Sequence, residues 1–288
     1  MIIPVVICSG TALHALGEAE QPCSPEENEA QLASTLSLLS WWDTPVLCVA
    51  QPDQQHMVQR VLQSPLPHGH LLTCNHPDPT LATALASVYL SRFERDPLLL
   101  FCPPGLPLLE AAYLVHTLRQ AQPLADAGAL VVLGVDTPLA GLFAGRDCLV
   151  LGSSRGSGGH RVAQWGTQVP HPGASSPAGP VLRNTGLYFA RASVWTQAFA
   201  RCLPDTLRQA QASLACTSAD PYAGTPGVHV VHADTDTETD PSSPLHSLEQ
   251  HLLSLLPNLT AFAHHAPEWR ASASALLRAS PAFQPEHA

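Results

Sequence analysis

Met1-Ile2-Ile3-Pro4-Val5-Val6-Ile7-Cys8 opens the chain and runs directly into Ser9-Gly10-Thr11-Ala12-Leu13. The first eight residues form an apolar, β-branched run of strand length, the pattern of a strand buried on both faces of a parallel sheet. A loop of small residues follows at its carboxyl end. Open α/β sheets bind ligands there, and such a loop can turn its backbone N–H groups toward an anion.

The same alternation repeats through the first half of the chain. Strands are expected at 45–50, 69–74, 97–102 and 129–135, with helices at 54–62, 80–94 and 106–120 between them. Ser24-Pro25-Glu26-Glu27 combines an N-cap serine, a proline at the first helical position and a capping-box glutamate, so a helix runs from there to about Leu39. Two further helices are expected at 193–202 and 204–214. Beyond Gly134 the strands shorten, to 147–151, 161–165, 186–190 and 228–232, separated by Gly/Ser/Pro-rich stretches. Segments 152–160 and 168–180 read as flexible loops, 234–244 as an acidic turn region, and 245–256 as an amphipathic helix. One more helix is expected past Pro267. Short loops between strands and crossover helices imply an α/β fold: a mixed, mostly parallel central sheet with helices on both faces. One unit covers residues 1–240, and 241–288 form a C-terminal helical extension.

Composition narrows the function classes. Of 288 residues, 45% are hydrophobic and 12% charged, which excludes a coiled coil or a charged solvating tail. All 13 basic residues are arginine. Without lysine there is no Schiff-base chemistry, no Walker-type phosphate lysine and no catalytic ammonium. A net charge of -10 with no basic run argues against nucleic-acid or anionic-membrane partners. Eight cysteines with no C-x-x-C pair, several inside apolar runs, read as reduced core thiols. The opening lacks a basic leader and no apolar run reaches spanning length, so a cytoplasmic protein is expected.

Several landmarks in sequence order resemble the mannose-1-phosphate guanylyltransferase branch of the sugar-phosphate nucleotidyltransferases. Met1-Ile2-Ile3-Pro4-Val5-Val6 is similar to the family's M-I-I-P-V-I strand, and Ser9-Gly10-Thr11-Ala12-Leu13-His14-Ala15-Leu16 to its S-G-T-R-L-W-P-L. Pro79-Thr80-Leu81-Ala82-Thr83-Ala84 looks like P-A-I-A-L-A, Asp96-Pro97-Leu98-Leu99-Leu100-Phe101-Cys102-Pro103 like D-P-L-L-L-V-L-P, and 128–135 like G-x-L-V-T-F-G-I. Arg183-Asn184-Thr185-Gly186-Leu187-Tyr188-Phe189 resembles W-N-S-G-M-F-x-F. The likeness spans most of residues 1–240, and its collinearity makes chance a poor explanation.

The resemblance implies a nucleotide over the first half of the sheet and a sugar phosphate over the second. The implied chemistry is attack of mannose-1-phosphate on the α-phosphorus of GTP, releasing pyrophosphate and forming GDP-mannose. Such a transition state calls for cations and a magnesium ion (Mg2+). Ser9, Gly10 and Thr11 are the implied nucleotide-binding residues, Asn184, Gly186 and Gly141 the implied sugar-phosphate contacts, and Asp234 the implied metal ligand.

Most of the family's charges are missing. Two loop glycines have no counterpart before Ser9, the arginine after S-G-T is Ala12, the P-K-Q lysine is Cys23, and the metal aspartate of P-A-D-H is Gly105. The arginine and asparagine of G-R-N-T-A-P fall on Asn75 and His76, and E-K-P has become Gln168-Val169-Pro170 after Thr167. No catalytic residue is therefore assigned. The leading expectation is a catalytically impaired relative with a sugar-nucleotide-binding or regulatory role in polysaccharide or nucleotide-sugar metabolism. One rival is an active enzyme whose phosphates meet Arg155 or Arg161. Another is a structural subunit pairing with an intact paralogue, or with itself. If lost charge is the defect, Ala12→Arg, Cys23→Lys and Gly105→Asp together should restore some pyrophosphate release.

Other candidates read as structure. His229 and His232, three apart on a strand, point to opposite faces and do not converge on a metal. The stretch 153–159 around Arg155 reads as a solvated loop before a phosphate nest, His264-His265 as surface, and Trp41-Trp42 as packing at a helix end.

Overall fold

A computed structural model describes residues 1–8, 24–40, 42, 44–63, 68–75, 78–92, 96–105, 111–135, 147–166, 180–215, 227–233, 248 and 252–263. The first half is β1 (Ile2–Cys8), α1 (Pro25–Leu39), β2 (Val46–Ala50), α2 (Gln55–Gln63), β3 (His68–Thr73), α3 (Pro79–Ser91), β4 (Leu98–Cys102), α4 (Ala111–Asp126) and β5 (Leu130–Val135). There follow β6 (Cys148–Gly156), β7 (Gly159–Gly166), β8 (Val181–Arg191), α5 (Ala192–Cys202), α6 (Pro204–Ser213), β9 (Gly227–His232) and β10 (Leu259–Ala263).

All ten strands lie in one mixed sheet, in the order β5-β10-β7-β6-β8-β4-β1-β2-β3-β9. From β4 to β9 every pairing is parallel. The other half departs from the mostly parallel expectation. There β8 runs antiparallel to β4, β5 and β6, β7 antiparallel to β6 and β10, and only β5 and β10 pair in parallel. The extra β5–β8 pairing closes β5, β10, β7, β6 and β8 into a five-stranded barrel. One of these antiparallel pairings, β6 with β7, has a local reason. Gly156↔Gly159 is a register pair, and the two residues between them have positive φ, 47° at Ser157 and 77° at Gly158. A two-residue turn with both angles positive matches strand twist and forces antiparallel neighbours. Segment 152–160, expected as a loop, is thus the tip of a hairpin. Ser157 occupies a left-handed conformation that costs a side-chain-bearing residue about 1–2 kcal/mol. Ser157→Asn, creating the favoured Asn-Gly turn, is expected to raise stability by about 0.5–1 kcal/mol in urea unfolding.

Both faces of the parallel half carry helices, because its central strands β1, β2 and β4 are apolar on both sides. Ile3, Val5, Leu47, Val49, Leu99 and Phe101 pack toward α3, α5 and α6. Val6, Cys8, Cys48, Leu98, Leu100 and Cys102 pack toward α1, α2 and α4. Residues 80–90 of α3 are buried on every side, as befits a helix enclosed between the sheet and α5/α6. The capping box at α1 forms as the sequence requires: Ser24 Oγ accepts from Glu27 N at 3.2 Å, and Glu27 Oε2 accepts from Ser24 N at 2.8 Å.

Two expectations changed near the carboxyl ends of α4 and of the sheet. Helix α4 continues through Pro123 to Asp126 rather than stopping at 120. Burial of Ala121, Leu124 and Ala125 against the sheet outweighs the hydrogen bond that proline forfeits. The sheet also extends past residue 240, where a helical extension was expected, because Leu259–Ala263 pairs between β5 and β7. Within the helix expected at 245–256, Leu248 is helical and buried, its carbonyl accepts from Leu252 N at 3.0 Å, and Leu253–Leu255 form a 3-10 turn. The stretches 168–179, 234–244 and 264–288 lie outside the described residues.

Candidate functional site

In a sheet of this kind the strand carboxyl ends face the loops that hold ligands, and the strand order reverses beside β1, between β2 and β4. Of the residues assigned to that rim, Ser9, Gly10, Thr11, Gly141 and Asp234 lie outside the described residues, as do Ala12, Cys23, His76 and 167–170. Asn184, Gly186, Asn75 and Gly105 lie within them.

Asn184 sits inside β8, in the stretch that overshoots the carboxyl end of β4, where a bulge interrupts the register with β5. It is only 1% exposed. Its Oδ1 accepts from Gly186 N at 2.9 Å, its Nδ2 donates to the Tyr188 hydroxyl at 2.9 Å, and its own N–H donates to Asp147 O at 2.9 Å. Gly186 supplies the φ of +79° that turns the chain back onto this amide. Thr185 Oγ1 donates to Leu133 O at 2.8 Å and accepts from Leu187 N at 3.3 Å. The Asn-Thr-Gly element is thus a self-braced bulge that fixes the β5–β8 seam of the barrel, with its amide engaged at both ends inside the protein.

The position of the family's metal aspartate is equally specific. Gly105 follows Pro103-Pro104 at the end of β4, with φ +74°. Its N–H donates to Thr35 Oγ1 on α1 at 3.0 Å, and Thr35 is buried. A Cβ placed on Gly105 would lie 2.9 Å from Gln31 Oε1 and 3.0 Å from Gln31 Cδ. Gln31 and Thr35, one turn apart on the same face of α1, hold this loop between them. Among the described residues no group of three or more His, Cys, Asp or Glu is arranged to hold a metal ion. The residues present at the end of β4 do not fit the magnesium site that the resemblance implied.

The thiols at this rim are chemically quiet. A hydrogen bond with Cys8, then burial, pushes the Cys48 thiol well up, and burial alone pushes Cys102 up. Burial also raises Cys148, opposed by the Arg183 charge and reinforced by Asp147. All three stay protonated at neutral pH, which suits packing and not nucleophilic work.

Arg155 stands exposed near the tip of the β6–β7 hairpin, donating to Pro257 O at 3.1 Å. It lies seven residues along β6 from Cys148, roughly 23 Å of strand. Arg161 is exposed on β7. His232 Nδ1 and Thr73 Oγ1 are 2.7 Å apart across β9 and β3, a side-chain link between the strands. Trp42 packs against the core on the α1 side.

Asp96 was legible only as part of a family-like stretch, and its role is structural. With φ +42° it aims its carboxylate at the start of α5, accepting from Ser193 N at 2.8 Å and Ser193 Oγ at 2.7 Å. Arg191 Nη1 donates to Asp96 O at 3.0 Å while its Nη2 pairs with Asp126 at 2.5 Å. Asp96→Ala is expected to cost about 1–2 kcal/mol in denaturant unfolding, the loss of a helix cap supplied from another segment.

No protein-family model matches the chain, and no curated protein sequence does. Its architecture is shared with solved structures. A mannose-6-phosphate isomerase from Helicobacter pylori superposes with a TM-score of 0.64 at 13% identity, over 92% of this chain and 98% of that one. A mannose-1-phosphate geranyltransferase from Thermus thermophilus superposes at 0.63 and 17% identity, over 92% and 75%. Among the described residues no helix is long and apolar enough to cross a membrane. At these identities the likeness carries the fold alone, a mixed α/β architecture that the chain shares with these structures.

Proposed function

We propose that this protein is a divergent, catalytically impaired relative of the mannose-1-phosphate guanylyltransferases, retaining the fold to bind a sugar nucleotide such as GDP-mannose in a regulatory role. The observation that carries the reading is Gly105. The backbone where a metal aspartate would stand is docked on α1 through Thr35, and Gln31 fills the space a side chain would take. The absence of lysine, with Ala12, Cys23 and Asn75 at the positions of family cations, points the same way. That the two structures named above carry names of mannose-phosphate enzymes supports the choice of sugar.

The test is incubation of the full chain with GTP, mannose-1-phosphate and magnesium, with pyrophosphate release followed, beside calorimetric titration with GDP-mannose. The reading expects no turnover, and binding no tighter than high micromolar. Each missing charge-assisted phosphate contact costs about 1.5–3 kcal/mol, one to two decades of affinity. Turnover at ordinary enzyme rates would replace it with the active-enzyme reading.

A further inference from the structure

We draw no further inference here: the strongest candidate, the pair of half-buried side chains at the barrel end where β6 begins and β7 ends, in which Trp165 Nε1 donates to Asp147 Oδ2 at 2.5 Å, carries none, because the flanking segments 136–146 and 167–179 lie outside the described residues and nothing in the structure shows what the pair faces.

Discussion

Trp195→Ala is expected to destabilise the protein by about 3–5 kcal/mol, a large share of the roughly 5–15 kcal/mol typical of a domain. Trp195 is fully buried in α5 and meets Phe101 of β4 edge-on at 4.8 Å and Tyr188 of β8 at 6.4 Å. It therefore ties the helix to both the parallel half and the barrel. The alanine variant leaves a large cavity at that junction, and denaturant unfolding should show it as a lower midpoint with an unchanged slope. Trp195→Phe should lose less than half as much. The indole Nε1 has no hydrogen-bond partner among the described residues, so phenylalanine forfeits area but no bond, and removes a buried unsatisfied N–H. Equal losses in the two variants would mean that the indole is not the packing joint described. Because Tyr188 accepts from Asn184, the alanine variant should also loosen the bulge. Faster amide exchange at residues 184–187 is the expected sign.

Gly134→Ala is expected to cost about 2–3 kcal/mol through a single methyl group. Gly134 pairs with Asn184 where β5 meets β8, the seam that closes the barrel. A Cβ there would lie 2.8 Å from Leu182 Cβ and 3.3 Å from Arg183 O. Neither contact is the far end of a flexible side chain, so the two strands themselves must separate. Gly166→Ala on β7 is the matched control, since an added Cβ meets nothing within 4 Å. It should stay within about 0.5 kcal/mol of wild type. If both substitutions are equally mild, the seam is looser than its spacing implies.

Much of the parallel half was legible from the chain alone, because its signals are local. A strand buried on both faces must be apolar at every position, and Ile2–Cys8, Val46–Ala50 and Leu98–Cys102 are. Ser24 and Glu27 specify a helix start within four residues of each other. The barrel was not legible. Which strands neighbour one another beyond Gly134 depends on pairing between β5 and β8 and on recruitment of β10 from far along the chain. A five-residue run such as Leu259–Ala263 carries no mark of its partner.

The same division holds at the candidate site. Sequence by itself excluded chemistry that needs a lysine, because a residue type absent from the chain is absent in any fold. It also singled out Asn184, Gly186 and Gly105 as positions of interest. Only the tertiary structure decided what they do. Asn184 turns its amide onto Gly186 and Tyr188, and Gly105 rests on Thr35 and Gln31, residues about seventy positions away in the chain. The physical reason is that residue type fixes the charges and donors a chain can offer, whereas their direction is set by contacts between segments that are remote in sequence and meet only when the sheet and helices pack.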